Sequence, residues 1–297
     1  MTNNARLLGL LCALLLLVGK GDETAAQVTQ QGADAQPLDV MTFNLRFAHA
    51  APNSWEQRRP VVKALLQRYA PDIVGTQEGL IAQLRDLETD LPSYAWIGEG
   101  RDGGKRGEYM AIIYRRDRLD ELEHGHFWLS DTPEIAGSRT WGNTNPRMVT
   151  WVKFRDTRAQ CAFYVINTHF DHEVQIAREK GAALLLERVN TFDRALPVIL
   201  LGDFNVAAGA NPVYETLTGE AAFADVWRAL RKSEPAFGTF HDFKGEEGAR
   251  GKSRIDWILT RGGVAARSSE IITFAQGSQY PSDHFPVIAR VELEKCR

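Results

Sequence analysis

Val198–Asn205 reads VILLGDFN: an apolar run of β type that stops on Gly202, Asp203, Phe204 and Asn205. Branched apolar residues suit a buried strand, and Asp and Asn suit the turn that ends it. Taken alone, this segment says only that a strand runs into a turn. Working outward, the same arrangement recurs. TFNLR at 42–46, GTQEG at 75–79, NTHFD at 167–171 and SDHFP at 282–286 each set a carboxamide, carboxylate or imidazole beside a strand, and RIDWI at 254–258 places Asp256 inside one. A buried carboxylate is costly without a partner, so Asp256 is expected to have a cationic or hydrogen-bonding neighbour.

Strands are expected over Val40–Asn44, Ile73–Thr76, Tyr109–Tyr114, Met148–Phe154, Ala162–Thr168, Val198–Leu201, Ile255–Leu259 and Pro286–Val291. They are rich in β-branched and aromatic residues and bounded by Gly, Pro, Asn and Asp. Helices are expected over Arg59–Tyr69, Leu80–Asp90 and Glu173–Phe192, the last with Ile176, Leu184, Leu185 and Val189 on one face. No repeat, heptad or linker divides the chain after residue 39, so residues 39–297 read as one mixed α/β domain. Its polar residues gather at strand ends, where a rigid sheet positions functional side chains.

The beginning of the chain reads differently. Arg6 precedes the apolar run Leu7–Val18, and small residues follow to Ala26. This is the pattern of a secretory signal over residues 1–26, and the run is short of the roughly 20 residues a membrane span needs. An uncleaved anchor is the competing reading. Residues 27–38 are polar and small, as in a flexible leader. Cys161 and Cys296 would remain after cleavage, too few for a zinc site of the CxxC type; whether they pair stays open. The formal net charge is −3, so no global positive field draws the protein to nucleic acid or anionic membranes, although a small basic groove can act within an acidic whole.

The polar set as a whole supplies oxygen ligands, two histidines and an Asp/Asn pair. Oxygen-only ligation suits magnesium, whereas zinc would want more His or Cys at one centre. Magnesium with histidines and carboxylates suits water attack at phosphorus.

From Leu38 to about Glu294 the sequence resembles the endonuclease/exonuclease/phosphatase superfamily, and the QE…GDFN…RID…SDH order is what carries the resemblance. WEQRRP at 55–60, FWLSDTP at 127–133, RTW at 139–141 and TFHDF at 239–243 resemble bacterial exported members of unsettled substrate. The resemblance implies a four-layered α/β sandwich, with two mostly antiparallel sheets face to face, helices outside, and the site at one end. It implies that Asn44, Glu78 and Asp283 hold magnesium, with manganese able to substitute. His284, held by Asp256, and His169, oriented by Glu108, would face the phosphate as charged imidazoles. Asp203 and Asn205 would lie by the attacking water, with Gly202 allowing a tight turn there. Arg147 would contact phosphate, or else form a surface ion pair. Asp171 and His172 depart from the deoxyribonuclease-type pattern; they would serve substrate choice or cap the next helix.

The expected function is magnesium-dependent hydrolysis of phosphate esters, with phosphodiesters placed first. Phosphomonoesters of inositol or sugars are the alternative, and a non-catalytic binding protein on the same fold is the reading from another class. Basic loops at 101–106 and 250–254 leave nucleic acid open as a partner, and membrane lipid stays open as well. No obligate protein partner is evident.

Overall fold

The computed structural model describes residues 36–294, apart from 50, 210, 221, 231 and 232. The expected signal segment and nearly all of the leader lie outside the described residues.

One sheet contains β1 (Leu38–Asn44), β2 (Ile73–Gln77), β3 (Tyr94–Ile97), β4 (Ile112–Arg115), β11 (Val264–Ile271) and β12 (Val287–Leu293). Its strand order is β11-β12-β1-β2-β4-β3. The other contains β5 (Leu119–Trp128), β6 (Met148–Asp156), β7 (Cys161–His169), β8 (Val198–Asp203), β9 (Ala224–Asp225) and β10 (Asp256–Arg261), in the order β5-β6-β7-β8-β10-β9. Pairing is antiparallel except at the middle of each sheet, where β1 runs parallel to β2 and β7 to β8.

Alternate residues of the central strands face the other sheet. Val40, Ile73, Val152, Phe154, Phe163, Val165, Ile199, Leu201 and Ile258 form one buried layer between them. Removing each such Val, Leu or Ile from water is worth ~1.5–3 kcal/mol. The opposite faces carry the helices. α1 (Trp55–Tyr69) and α2 (Ile81–Asp90) cover the first sheet through Val62, Leu65, Leu84 and Leu87. α3 (Gln175–Val189) and α4 (Pro212–Thr218) cover the second. The layers are thus helix, sheet, sheet and helix, and two short helices, α5 (Val226–Ala229) and α6 (Gly245–Ala249), pack Val226, Trp227 and Ala249 against the core between the sheets. No helix among the described residues is long and apolar enough to cross a membrane.

All eight expected strands are present, with shifted ends; β4 starts only at Ile112, and Tyr109 instead bridges Gly79 and Gly100. Four strands were not anticipated: β3, β5, β9 and β11. These are the four sheet edges. Edge strands are short or carry polar side chains, so they lack the apolar run that marks a central strand. Ile176 is 52% exposed; the buried face of α3 is Ala177, Gly181, Ala182, Leu185 and Val189. Cys161 is disulfide-bonded, and the other two cysteines, Cys12 and Cys296, lie outside the described residues.

The register decides where the polar residues meet. Parallel pairing sets Asn44 opposite Gln77 in one sheet and His169 opposite Asp203 in the other. Antiparallel β10 sets Asp256 opposite Asp203. Antiparallel β12 returns Asp283 and His284, just before it, to the end of β1. The C-terminal ends of β1, β2, β7 and β8 therefore share one end of the sandwich with the N-terminal ends of β10 and β12.

Candidate active site

Asn44 joins the sheets there, its Nδ2 donating to Asp203 Oδ2 at 3.0 Å and to Glu78 Oε1 at 3.0 Å. Beneath it, Gln77 Nε2 donates across the sandwich to Asn167 Oδ1 at 2.7 Å, and Asn167 Nδ2 donates to the carbonyls of Thr76 and Ala111. These amides are fully buried, so the separation of the two sheets under the site is fixed by hydrogen bonds as well as by packing.

Three residues at the site have left-handed backbone: Arg46 (φ 55°), Glu78 (φ 61°) and Asn205 (φ 52°). Such conformations cost energy for non-glycine residues and persist where surrounding contacts impose them. Asn205 shows how. Its backbone N–H donates to Asp203 Oδ1 at 3.0 Å, and its Nδ2 donates to the carbonyl of Phe170 and lies 2.9 Å from His169 Nε2. Gly202 does not make the turn, contrary to the sequence expectation; it is extended in β8, and a Cβ there would meet the Thr168 carbonyl at 2.7 Å. Close approach of β7 is what requires glycine.

His284 sits between two acids. Its Nδ1 is 3.0 Å from Asp256 Oδ2 and its Nε2 is 3.8 Å from Asp203 Oδ2. Burial alone would lower the imidazole pKa, but Asp256 and Asp203 override it and raise it to about 10. Burial, with Asp256 next to it, pushes the Asp203 carboxyl up to about 7. Asp203, Asp256 and His284 lie close enough to share a cation. However, the imidazole gives Nδ1 to Asp256 and is protonated, so we read the three as a closed ion cluster.

His169 differs from expectation. Burial and the positive charges of Arg147 and His284 hold it well below the usual histidine range, so it is neutral. It is not oriented by Glu108. Glu108 instead accepts from Arg101 Nη1 at 2.5 Å, because the 100–109 loop closes on itself: Tyr109 bridges Gly100, and the Arg101 N–H donates to the Glu108 carbonyl. Burial lifts the Glu108 carboxyl to about 7. His169 is placed by Asn205 and by Asp203 Oδ2, 3.5 Å from its Nε2.

Glu78 and Asp283 flank the Arg46 guanidinium at 3.6 and 3.3 Å, with the Asn44 amide against Glu78. Two carboxylates and a carboxamide are thus brought around one position that attracts positive charge. The carboxylate oxygens fit a hard divalent cation, and Asn44, whose Nδ2 faces Glu78, has only Oδ1 to offer it, an oxygen that already accepts the Arg46 N–H.

Arg147 is buried and not a surface ion pair. Its Nε lies 3.5 Å from Asp171 Oδ2 and its Nη2 2.8 Å from His172 Nδ1, while Nη1 has no hydrogen-bond partner among the described residues. This assigns the extra HFDH residues. Asp171 aims Arg147 through one oxygen, and the other accepts from Glu173 and Val174 N–H just before α3. The ten sequence-predicted residues all come together at this end, lining a cavity of about 310 Å³ or packed directly beneath it. Arg46, Arg101, Asn145, Phe47, Phe240 and Ile255 complete the lining and were not anticipated. The basic run at 101–106 hinted at Arg101; nothing in the sequence marks the others as site residues.

A family model described as the endonuclease/exonuclease/phosphatase family matches residues 41–284. The chain belongs to that family. Two solved structures of family size are similar over their whole length. One is an endonuclease/exonuclease/phosphatase from Bacteroides vulgatus, with 34% identity, a TM-score of 0.81, and 87% of this chain and 100% of that chain covered. The other is a mannosyl-6-phosphatase from Bacteroides thetaiotaomicron, with 33% identity, a TM-score of 0.78, and 86% and 99% covered. An uncharacterized protein of Acanthamoeba polyphaga mimivirus is 31% identical over 160 residues, covering 51% of this chain and 59% of that protein. The chain spans between about a third and three fifths of the length of the curated relatives it matches. Endonuclease/exonuclease/phosphatase enzymes hydrolyse phosphoester bonds.

Proposed function

We propose that the protein hydrolyses phosphate monoesters of small hydroxylated molecules, phosphorylated sugars above all, with magnesium as its cation. The observation that carries this reading is the cavity itself. It holds about 310 Å³, is walled by Phe47, Phe240 and Ile255, and has three guanidinium groups, Arg46, Arg101 and Arg147, around the Asp203–His284 floor. A monoester phosphate carries close to two negative charges at neutral pH and ends the molecule, so it suits a bounded, cation-rich pocket. A nucleic-acid diester would need basic surface continuing past the cavity. In the 250–254 loop Arg254 is withdrawn from that surface, buried against Asp225 at 2.7 Å, while Lys252 stays exposed over the Phe240 ring at the rim of the cavity. The similarity to the mannosyl-6-phosphatase supports the same choice. The sequence reading placed diesters first; the bounded cavity is what supports placing monoesters first here.

When bound, the cation would offset charge on the phosphate oxygens from Glu78, Asp283 and Asn44. The chain's own groups do the rest. Arg147 Nη1 and Arg101 neutralise and orient the phosphate. Asp203 orients the attacking water and takes its proton, with Asn205 fixing the carboxylate through its backbone N–H. His284, held cationic by Asp256, donates toward the phosphoryl oxygens. The disulfide at Cys161 supports an exported protein, since disulfides persist in oxidising compartments.

The test is a panel of mannose and glucose 6-phosphates, inositol phosphates, sphingomyelin, DNA and RNA, with and without magnesium, read as inorganic phosphate release and as strand or lipid cleavage. Magnesium-dependent phosphate release from a sugar phosphate is expected. Cleavage of DNA, RNA or sphingomyelin with no release from any monoester would overturn the monoester reading.

A further inference from the structure

We propose that Arg58, in the segment WEQRRP, is a positioning residue that sets the two loops carrying Glu78's and Asp283's contacts, through the peptide groups between. The inference rests on the reading of Asn44, Glu78 and Asp283 as the cation-holding set.

Arg58 lies on α1, is fully buried, and forms no ion pair with a carboxylate among the described residues. A guanidinium has five N–H donors, and all five are used on backbone carbonyls. Nε donates to Asn53, Nη1 to Leu45 and Pro281, and Nη2 to Arg46 and Phe47, at 2.5–3.1 Å. Leu45, Arg46 and Phe47 follow Asn44 directly. Pro281 precedes Ser282, Asp283 and His284. One side chain therefore ties the loop after β1 to the loop before β12, which meet nowhere in the strand ladder beyond Thr42 and Val287.

Successive carbonyls of a strand point in opposite directions. The left-handed φ of 55° at Arg46 breaks that alternation and lets three consecutive carbonyls face one cation. The same peptide units present their N–H groups to the site. The unit joining Leu45 to Arg46 gives its oxygen to Arg58 and its N–H to Asn44 Oδ1 at 2.9 Å. The unit joining Arg46 to Phe47 gives its oxygen to Arg58 and its N–H to Glu78 Oε2 at 3.2 Å. Each peptide unit is thus held at its oxygen by Arg58 and at its N–H by a cation-holding residue, which fixes where Asn44 Oδ1 and Glu78 Oε2 stand. Gln83 Nε2 adds a second donor to the Arg46 carbonyl at 3.0 Å. A buried charge without a counter-ion is expensive unless something compensates it, and here the backbone carbonyls do so. The cost explains why the position is arginine: lysine has three donors for five carbonyls.

Arg58→Lys and Gln83→Met would be compared with wild type for Mn²⁺ affinity by electron paramagnetic resonance, for kcat and KM on mannose 6-phosphate, and for melting temperature. Arg58→Lys is expected to weaken Mn²⁺ binding at least tenfold and to lower kcat at least tenfold, with KM changed less than threefold. Gln83→Met is expected to shift Mn²⁺ affinity in the same direction by about threefold. A lower melting temperature for Arg58→Lys with Mn²⁺ affinity and kcat within twofold of wild type would reduce Arg58 to a structural residue and overturn the inference. If Arg58→Lys does not fold, Gln83→Met decides, and unchanged Mn²⁺ affinity in it overturns the inference. Wild-type protein that binds no Mn²⁺ would instead refute the reading of Asn44, Glu78 and Asp283, and the inference with it.

Discussion

Asp256 stands directly opposite Asp203 on the neighbouring antiparallel strand, and both carboxylates are 1% exposed. Two like charges in this arrangement are unfavourable in a sheet. His284 makes the pair tolerable, with Nδ1 on one acid and Nε2 toward the other. The molecule thus keeps a costly arrangement at the point where a proton acceptor and a charged donor are both needed.

Asp203→Asn follows from this relationship. The amide keeps the shape of the turn and removes one of two facing charges. We expect kcat to fall by ~10²–10⁴, the usual worth of general-base help, with the melting temperature equal to or above that of wild type. Steady-state kinetics and a thermal scan on the same preparation check it. Loss of activity together with a large drop in melting temperature would mean that Asp203 only supports the turn.

The pH–rate profile is expected to be bell-shaped. Below about 7 Asp203 becomes protonated and the rate falls; toward about 10 His284 loses its proton and the rate falls again. The two limbs belong to the cluster as a unit. An acidic limb that survives in Asp203→Asn would move proton acceptance to the Asp256–His284 pair. Stability carries its own signature. His284 has a folded pKa above its unfolded value, so its contribution is complete below about 6.5 and is lost as pH rises toward about 10. Denaturant melts at pH 7 and 9.5 should show that loss in wild type and less of it in His284→Asn.

Chelation by EDTA is expected to abolish activity, and added magnesium or manganese to restore it. Glu78→Gln keeps the hydrogen-bonding shape but removes a charge, so it should need more metal for half-maximal rate. A metal titration of the rate for both proteins is the check, and full activity in chelator would rule out the cation-assisted reading.

Arg147→Met should raise KM for a sugar phosphate or lower kcat/KM by ~10–100-fold, the range of a hydrogen bond to a charged group. Asp171→Asn should give a smaller effect of the same kind, because it acts on Arg147 and not on the phosphate. Equal losses in the two variants would mean that Asp171 has a further role.

Much of this protein is legible in its amino-acid order. Central strands are buried on both faces, so they show as apolar runs, and all eight such runs are strands. Asn44, Glu78, His169 and Asp203 at the ends of such runs, and Asp283 before another, could each serve a turn, but their recurrence as a set is why they point to a site. The motif order QE…GDFN…RID…SDH carries the family likeness by itself.

Pairing across space had to come from the tertiary structure. The edge strands β3, β5, β9 and β11 are short or polar because solvent takes one side, so only neighbouring strands reveal them. The acidic partner of His169 is not Glu108, because Arg101 reaches that carboxylate first; the Asn205–His169 contact arises from the parallel register of β7 and β8. Arg58 reads as one more charged residue on a helix until five carbonyls converge on it. Sequence determines which side chains are present and which segments are buried. Charge states and partners depend on distances of a few ångströms between residues far apart in the chain, and only the folded chain sets those.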